Sequence, residues 1–583
     1  MKNFILFSFL LFTINTFAQQ NSFTTYFEKS GYEETPTYNA TISYCKLIDS
    51  ASAWIKYLSF GKSPQGREMP LLIMDKNGNF TPESIKKSGN IILLIQACVH
   101  AGEPDGKDAG LLLFRDIAIN KKMNELLNHV TILFIPIFNV DGHERFGKYN
   151  RINQNGPKEM GWRTTANNLN LNRDYLKADA LEMKNWLKMF NRFMPDFLID
   201  CHTTDGADYQ YVLTYGIETE GNVDQGLIKW QKENYLTPIT KMMTQDGLPI
   251  LPYVTFRNWH DPRSGLISNV APPMLSQGYT IQRNRPGLLI ETHMLKSYKI
   301  RVESTYRMIE KTIIILNKEY QNLHKLIAEA DKNTSNENFR KKEFAINFEA
   351  SEKDSTMIDY LGVEYSVEKS ELSGGEWFRY NNSKPTTFKI PYFNKIEIVE
   401  KTLLPKAYII TPEWSSVIDV LKLHNITMKT IKMSLTLKVQ SYKFKNPKWA
   451  TTSYEGRNPL NNFVMDTITE ERTYPAGSLI IDMNQAGARI IAYLLEPKAS
   501  SSLVFWGFFN TIFEQKEYSE SYVMEVLARE MIAKDEVLKK EFEQKKQIEA
   551  DFANNPRSIL NWFYSKTPYW DNRFNIYPIG KIF

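Results

Sequence analysis

The chain has 583 residues, of which 42% are hydrophobic and 23% are charged, and its formal net charge is +5. A chain of this length exceeds what one hydrophobic core normally organises, so two or more domains are expected. The basic residues are spread along the chain and form no stripe with interleaved aromatic residues, which argues against nucleic acid as a partner.

Residues 1–18 have the pattern of a secretory signal peptide. Lys2 supplies a basic start, an apolar run follows, and Ala18 is a small residue at the expected cleavage point. We therefore expect cleavage after Ala18 and a secreted or periplasmic protein. The alternative is an uncleaved membrane anchor, which the shortness of the run disfavours because a bilayer span needs roughly 20 apolar residues. No later segment is long and apolar enough, so we expect no stable membrane insertion after cleavage.

From about residue 55 to residue 330, apolar strand-like runs alternate with helix-like stretches. This alternation predicts an α/β sheet with helices on its faces. Several runs end directly on polar residues, as in "NIILLIQACVH", "VTILFIPIFNVDG", "PDFLIDCHT" and "PGLLIETHM". Because ligands of open α/β sheets bind outside strand ends, the chemistry of the chain is expected there.

A polar stretch near residues 328–344 breaks this rhythm and is typical of a linker or a frayed helix end. We therefore place the domain that carries the chemistry at residues 19–335, and a C-terminal α+β accessory region of unknown role at residues 345–583. The accessory region contains β-rich segments, a strand–helix–strand candidate at 406–431, and a charged amphipathic helix from about Tyr518 to Phe552.

Three side chains at two strand ends form a candidate metal site. His100 and Glu103 follow one apolar run in "VHAGEPDG", and His202 ends another in "PDFLIDCH". Alone, His-x-x-Glu is more often a capping glutamate beside a surface histidine. A second strand that ends in a histidine, in a chain with eight histidines, favours metal binding. Two imidazoles and one carboxylate match a catalytic zinc site, so we expect one Zn²⁺ per chain, held by this His–Glu–His triad.

Six motifs then follow in order between about residues 90 and 295: "HAGE", "NVDG", "GWRTT", "LNLNRDY", "DCHT" and "GLLIETH". Together they resemble the zinc carboxypeptidases of the pancreatic carboxypeptidase type, peptidase family M14. The resemblance implies a mixed sheet flanked by helices in the first domain. It also implies that the triad holds the zinc ion.

The resemblance further implies how a peptide bond would be hydrolysed. Zinc would activate a water molecule for attack on a carbonyl group. Glu291 matches the carboxylate that takes the water's proton and passes it to the leaving amine. Arg163 matches the arginine that stabilises the oxyanion. Simpler roles are an ion pair of Glu291 with Arg283 or Arg285, and a solvated loop position for Arg163.

Substrate contacts are implied for three more residues. Asn172 and Arg173 match the pair that binds the terminal carboxylate of a substrate, where a guanidinium can make two parallel hydrogen bonds. The alternative for Arg173 is an ion pair with Asp174 or Asp179. Tyr279 is the nearest candidate for the family's mobile active-site tyrosine.

Two more histidines, His143 and His293, lie close to site motifs and are alternative metal contacts. His293 is two residues beyond Glu291, so on a strand it would share that residue's face. Val140 stands in "NVDG" where the family usually has a proline.

The leading interpretation is a secreted zinc metallopeptidase acting on peptides with a free C-terminal carboxylate. One alternative is a zinc amidase or deacylase that acts on cell-wall peptides or acyl amino acids. Another is an inactive binding scaffold of the same fold, which would have lost a metal ligand or the base. All the residues needed for catalysis are present in the sequence, which disfavours the scaffold.

Overall fold

A computed structural model describes residues 23–204 and 206–583 of the chain. The predicted signal peptide, residues 1–18, lies outside the described residues. Within the described part of the chain, no helix is both long enough and apolar enough to cross a membrane.

A mixed eight-stranded sheet forms the centre of the first half. The strands up to residue 293 are β1 (Ile55–Lys62), β2 (Glu68–Met74), β3 (Ile91–Gln96), β4 (Val130–Ile135), β5 (Phe197–Thr204), β6 (Leu213–Ile217), β7 (Leu251–Pro252), β8 (Leu266–Ile267) and β9 (Gly287–His293). The order of strands in the sheet is β1-β2-β4-β3-β5-β9-β6-β7. β3 pairs in parallel with β4 and β5, and β5 pairs in parallel with β9. β2 and β6 run antiparallel to their neighbours β4 and β9. The expectation of a mixed sheet flanked by helices is confirmed.

The parallel strands at the centre of this sheet place the site. β3, β5 and β9 are buried at every position, as parallel strands covered by helices on both faces must be. Because parallel strands end at the same edge, the turn after β3 and the ends of β5 and β9 lie side by side. The triad and Glu291 are carried by these three elements.

Helices cover both faces of the sheet. They are α1 (Tyr26–Lys29), α2 (Tyr38–Ala51), α3 (Pro82–Ser88), α4 (Asp105–Phe114), α5 (Val140–Glu144), α6 (Leu181–Phe193), α7 (Gln225–Trp230), α8 (Thr237–Gln245), α9 (Ser276–Gln282) and α10 (Tyr298–Ser335). The long α10 packs against α4, and its buried positions recur at steps of three and four residues, as on one face of an amphipathic helix.

One buried carboxylate joins these helices to the sheet. Asp105, at the start of α4, accepts hydrogen bonds from Arg301 Nε of α10 at 3.0 Å and from the Thr203 hydroxyl of β5 at 2.8 Å. The Thr292 hydroxyl of β9 also donates to it, at 2.5 Å. These bonds fix the ends of β5 and β9 against the helix that follows Glu103.

The second half is built from three smaller sheets and a set of helices. Its strands are β10 (Glu343–Ala350), β11 (Thr356–Lys369), β12 (Glu376–Phe393), β13 (Ile396–Leu403), β14 (Ala407–Ile410), β15 (Lys429–Thr430), β16 (Leu435–Trp449), β17 (Leu460–Tyr474), β18 (Leu479–Asp482) and β19 (Gly580–Ile582). Its helices are α11 (Ser415–Leu423), α12 (Ala488–Leu495), α13 (Ser521–Lys534), α14 (Glu536–Ile548), α15 (Ala550–Ala553) and α16 (Pro556–Tyr564). The sheets have the orders β10-β13, β11-β12-β8 and β15-β18-β14-β19-β16-β17.

The predicted strand–helix–strand unit is confirmed as β14, α11 and β15. The single amphipathic helix predicted from Tyr518 to Phe552 is instead α13, α14 and α15. The break lies at Asp535, whose side chain accepts hydrogen bonds from the backbone of Val537 and Leu538 and so caps a new helix. The first eight residues of the polar stretch 328–344 belong to α10, which continues to Ser335, and a 3₁₀ turn follows at Glu337–Lys341.

One hydrophobic cluster runs through both halves of the molecule, with buried members from Phe27 to Ile579. Polar contacts cross the same boundary: the Tyr279 hydroxyl lies 3.0 Å from Nδ1 of His424. The C-terminal region therefore packs directly on the central sheet domain.

Candidate metal centre and substrate site

The turn after β3 brings His100 and Glu103 to the same side of the chain. Cys98 adopts a left-handed backbone conformation, with φ 56°, which turns the chain away from the strand direction. The Glu103 backbone N–H donates to the His100 carbonyl at 3.0 Å. Gly102 lies so close to the neighbouring loop that a Cβ there would be 2.9 Å from the Gly161 carbonyl oxygen. The turn therefore requires glycine between its two candidate ligands.

The triad converges on one point. His100 Nδ1 lies 3.1 Å from Glu103 Oε1, and His202 Nδ1 lies 3.0 Å from Glu103 Oε2. The two Nδ1 atoms are 3.2 Å apart. All three side chains are buried. Across the described residues, this is the one group of three His, Cys, Asp or Glu side chains whose ligand atoms all lie within 4.8 Å of one another.

Partners behind the two imidazoles orient them. His100 Nε2 lies 3.0 Å from Asn170 Oδ1, which also accepts the Asn172 backbone N–H at 3.0 Å. Because that oxygen is an acceptor, His100 Nε2 carries the proton and its Nδ1 lone pair faces Glu103. His202 Nε2 lies 3.0 Å from Asp200 Oδ2 on the same strand. Both Nδ1 atoms are thus directed at the shared point, as expected for metal-binding histidines with fixed outer partners.

Burial and close partners set the charge of the triad. Burial lowers the pKa of His100 to about 4 against the opposing effect of Glu103, so this imidazole is neutral near pH 7. Burial also acts to lower the pKa of His202, but the carboxylates of Asp200 and Glu103 raise it well above its usual range. Burial acts to raise the pKa of Glu103, but the imidazoles and Arg151 hold it well below its usual range. The shared point therefore favours a positive charge.

These residues fit a zinc ion. Two imidazole nitrogens and one carboxylate are the donor set of many catalytic zinc sites, whereas Ca²⁺ and Mg²⁺ sites are built from oxygen ligands. A divalent cation at the shared point would replace the proton that His202 carries toward Glu103. The triad predicted from the sequence is brought together by the structure and can hold one Zn²⁺.

Two arginines approach Glu103 from neighbouring loops. Arg163 Nη1 lies 3.5 Å from Glu103 Oε1, and the Arg163 side chain is 44% exposed. Arg151 Nη1 is closer, at 2.8 Å, and its side chain is 15% exposed. Sequence reasoning identified Arg163 but not Arg151. Arg151 belongs to no motif, and its position depends on a loop closed by the bridge between Gly147 and Met160.

Glu291 lies beside the triad by strand register. Glu291 of β9 is paired with His202 of β5, and side chains at paired positions of parallel strands lie on the same face. Glu291 is buried. The guanidinium groups of Arg283 and Arg285 bind elsewhere, the first to the His424 carbonyl and the second to Asp331.

Asn172 and Arg173 lie in a single 3₁₀ turn, Leu171–Arg173, directly after Asn170. The Asn172 side chain is buried, and its amide oxygen has no hydrogen-bond partner within the described residues. Arg173 Nη1 donates to the Asn172 carbonyl at 2.7 Å, and Arg173 Nε donates to the Tyr454 hydroxyl at 3.0 Å. This turn therefore offers an amide oxygen and a guanidinium near the triad.

The two carboxylates predicted as alternative ion-pair partners of Arg173, Asp174 and Asp179, bind other cationic side chains. Asp174 pairs with the buried Lys177. Asp179 binds Arg457 through two hydrogen bonds of 2.7 Å each. Both carboxylates are thus engaged without Arg173.

Tyr279 is not brought to the triad. Its side chain is fully buried on α9 among aromatic rings, and its hydroxyl faces His424. A substrate could reach that hydroxyl only if the side chain left the core. Tyr253, which the motifs did not identify, lies after β7 with its hydroxyl 3.5 Å from Thr204 Oγ1, at the end of the strand that carries His202.

His143 and His293 are both buried and have partners outside the triad. His143 Nε2 lies 2.9 Å from Lys107 Nζ, and His293 Nε2 lies 2.9 Å from Asp208 Oδ1. His293 also stacks on the Tyr209 ring. Neither imidazole is among the converging metal-ligand atoms of the described residues.

Replacing His202 with Ala is expected to abolish zinc retention, because it removes a nitrogen ligand and leaves the buried Asp200 carboxylate without its imidazole partner. The measurement is zinc per chain by elemental analysis after gel filtration. The matched control is His324→Ala, which removes a part-exposed histidine of α10 and should leave zinc content unchanged. Full zinc content in His202→Ala would show that His202 is not a ligand.

Comparison with solved structures gives matches of low similarity. A metallo-carboxypeptidase from Burkholderia cenocepacia is 16% identical, with a TM-score of 0.37, over 49% of this chain and 71% of that chain. Carboxypeptidase A from Helicoverpa armigera is 13% identical, with a TM-score of 0.36, over 49% of this chain and 74% of that chain.

Sequence comparison gives matches of the same kind. Residues 41–193 match the model of the zinc carboxypeptidase family. Carboxypeptidase 2 of Trichophyton rubrum is 23% identical over 503 residues, which are 81% of this chain and 84% of that protein. Carboxypeptidase 2 of Trichophyton equinum is also 23% identical, over 81% of this chain and 84% of that protein. Residues 41–193 and the six ordered motifs thus resemble a zinc carboxypeptidase domain, and the chain is similar along most of its length to fungal carboxypeptidases.

Proposed function

We propose that this chain removes residues from the C-terminal ends of peptides that carry a free carboxylate. One observation carries the proposal: the Asn172–Arg173 turn is joined to the triad through Asn170, whose amide oxygen contacts both His100 and the turn. Cleavage at a chain end needs the reacting bond and the terminal carboxylate held at a fixed separation. Asn170 contacts both the proposed metal site and the turn proposed to bind the carboxylate, so it can hold the two at a fixed separation.

The proposed ligands of one zinc ion are His100, Glu103 and His202. When bound, zinc acts as a Lewis acid that polarises a carbonyl group and lowers the pKa of a water molecule. The chain contributes preorganisation, since both imidazoles are oriented by Asn170 and Asp200. The buried surroundings of the triad also keep bulk water away from these groups.

We assign proton transfer to Glu291. Its register beside His202 places a carboxylate on the face of the sheet that carries the triad. A carboxylate there can take a proton from the attacking water and deliver it to the leaving amine. The position at a strand end, paired on both sides by neighbouring strands, keeps the backbone of this group rigid.

Stabilisation of the oxyanion is assigned to Arg163. Its guanidinium reaches the triad at Glu103, and the side chain is 44% exposed, so it can donate to a substrate oxygen on the solvent side of the site. Arg151 is closer to Glu103 and less exposed. We therefore assign Arg151 to compensating the buried carboxylate rather than to substrate contact.

The terminal carboxylate is assigned to Asn172 and Arg173. A guanidinium binds a carboxylate through two parallel hydrogen bonds, and such charge-assisted bonds are stronger than neutral ones. Asn172 lies on the same turn, and its side-chain N–H can donate to the same carboxylate. Specificity for chain ends would follow from this pair.

We further propose that the protein is exported. The support is the pattern of residues 1–18, a basic start, an apolar run and a small residue before the cut. N-terminal sequencing of the protein recovered outside the cytoplasm should begin at Gln19, and a protein confined to the cytoplasm with Lys2 retained would contradict export.

Glu291→Gln should keep zinc and fold while losing turnover, because an amide has nearly the same shape but cannot accept a proton. General-base removal costs on the order of 100-fold to 10,000-fold in kcat. The matched control is Glu218→Gln, a buried carboxylate just beyond β6 that accepts the Ala271 backbone N–H, a bond an amide oxygen can keep. Near-normal kcat in zinc-replete Glu291→Gln would remove Glu291 from the reaction.

The assignment of Arg173 is tested with one peptide in free-acid and C-terminally amidated forms. Wild type should strongly prefer the free acid, and Arg173→Ala should lose most of that preference, because the charge-assisted contact exists only with the free acid. Arg173→Lys keeps the charge without the planar fork and should recover part of the loss. The measurement is kcat/KM for both peptides, with the exposed Arg192→Ala as the control that should match wild type.

Equal rates of wild type on both peptides would contradict cleavage at chain ends. Zinc-dependent hydrolysis of the amidated peptide would then favour an amidase or endopeptidase. Hydrolysis of neither form, in protein with full zinc content, would favour the inactive scaffold.

A further inference from the structure

The C-terminal region reaches the proposed substrate site through the tight turn between β16 and β17. This turn, Tyr454 to Arg457, is closed by backbone hydrogen bonds between its two end residues. Glu455 and Gly456 both have left-handed backbones, with φ 51° and φ 72°, as a tight two-residue hairpin requires. At the tip of the turn, a Cβ on Gly456 would lie 3.4 Å from Cδ2 of Leu169, the residue directly before Asn170.

Three polar contacts fix the 454–457 turn on the loop that carries Asn170 and Arg173. Arg457 binds Asp179 through two hydrogen bonds of 2.7 Å. Glu455 Oε2 accepts the Asn170 backbone N–H at 2.8 Å. The Tyr454 hydroxyl accepts a hydrogen bond from Arg173 Nε at 3.0 Å. Each contact reaches a different part of the same loop.

The contact with Asn170 leads to the metal site in one further step. Glu455 holds the backbone of Asn170, and the Asn170 side chain orients His100. Glu455 of the C-terminal region thus stabilises the position of Asn170, and Asn170 orients the proposed zinc ligand His100.

Tyr454 is itself held rigidly. Its ring stacks on Trp506, with centroids 5.8 Å apart and planes 11° apart, and Trp506 is fully buried. Tyr454 remains 40% exposed, so one side of the ring faces solvent beside Arg173. The hydroxyl is therefore a fixed acceptor at the edge of the proposed pocket.

The contacts of Arg173 determine which edge of its guanidinium is presented. Nε is bound by Tyr454, and one hydrogen of Nη1 is bound by the Asn172 carbonyl. Within the described residues, Nη2 has no protein partner. The edge formed by Nη1 and Nη2 can still make two parallel hydrogen bonds to a carboxylate.

We propose that Tyr454 is a positioning residue for Arg173, so that the C-terminal region completes the pocket for the terminal carboxylate. By accepting from Nε, Tyr454 sets the plane of the guanidinium and directs the Nη1–Nη2 edge at the substrate. This inference rests on the proposed cleavage at free C-terminal ends.

The test is Tyr454→Phe, which keeps the ring and its stacking on Trp506 and removes only the hydroxyl. Loss of one hydrogen bond that orients Arg173 should raise KM for the free-acid peptide about 3- to 10-fold and leave kcat close to wild type. Hydrolysis of the amidated peptide should not change. The matched control is Tyr564→Phe, which removes a hydroxyl that donates to the Tyr569 carbonyl within the C-terminal helices, and it should leave KM unchanged.

A double-mutant cycle shows whether Tyr454 acts through Arg173. In an Arg173→Ala background, Tyr454→Phe should have no further effect on kcat/KM for the free-acid peptide. The inference is overturned if Tyr454→Phe leaves KM unchanged, if it alters both peptides equally, or if its full effect persists without Arg173. Wild type that does not prefer the free acid would overturn the proposed function first, whatever the Tyr454 variant does.

Discussion

The site depends on a carboxylate that is almost completely buried. Glu103 is 2% exposed, and a buried ion is costly unless close partners compensate it. His202, Arg151 and the Thr203 backbone N–H supply that compensation. A bound zinc ion would add the opposite charge that this arrangement favours. The glycine at position 102 follows from the same constraint, because the turn must pass close to the neighbouring loop to reach its partners.

The rest of the molecule holds those partners in place. The parallel centre of the sheet puts the ends of β3, β5 and β9 at one edge, and Asp105 ties two of these strands to α4 and α10. Asn170 then joins the triad to the Asn172–Arg173 turn, and the C-terminal region holds Asn170 through Glu455. The proposed site thus draws on both halves of the chain.

The sequence predicts those parts of the site that strand ends determine. His100, Glu103 and His202 could be placed together because parallel strands end at one edge, a rule that needs only the apolar runs. The role of Glu291 is implied by the family resemblance. Arg151 and Tyr454 could not, because loop closure and packing between distant segments bring them in. Tyr279 is predicted as the nearest tyrosine upstream of Glu291, but α9 turns that side chain into the core. Asp535 interrupts a helix that hydrophobic periodicity predicts as continuous, because its side chain caps the start of a new helix. Periodicity alone does not reveal such a cap.

The most direct test of this account is reconstitution of the metal-free protein. Zn²⁺ is added in known amounts while the release of single C-terminal residues from a free-acid peptide is followed by mass spectrometry. A three-ligand site of this kind holds one ion, so activity should be absent without zinc and should rise to a plateau at one zinc per chain. Full activity in the metal-free protein, or internal cleavage as the main product, would contradict the account.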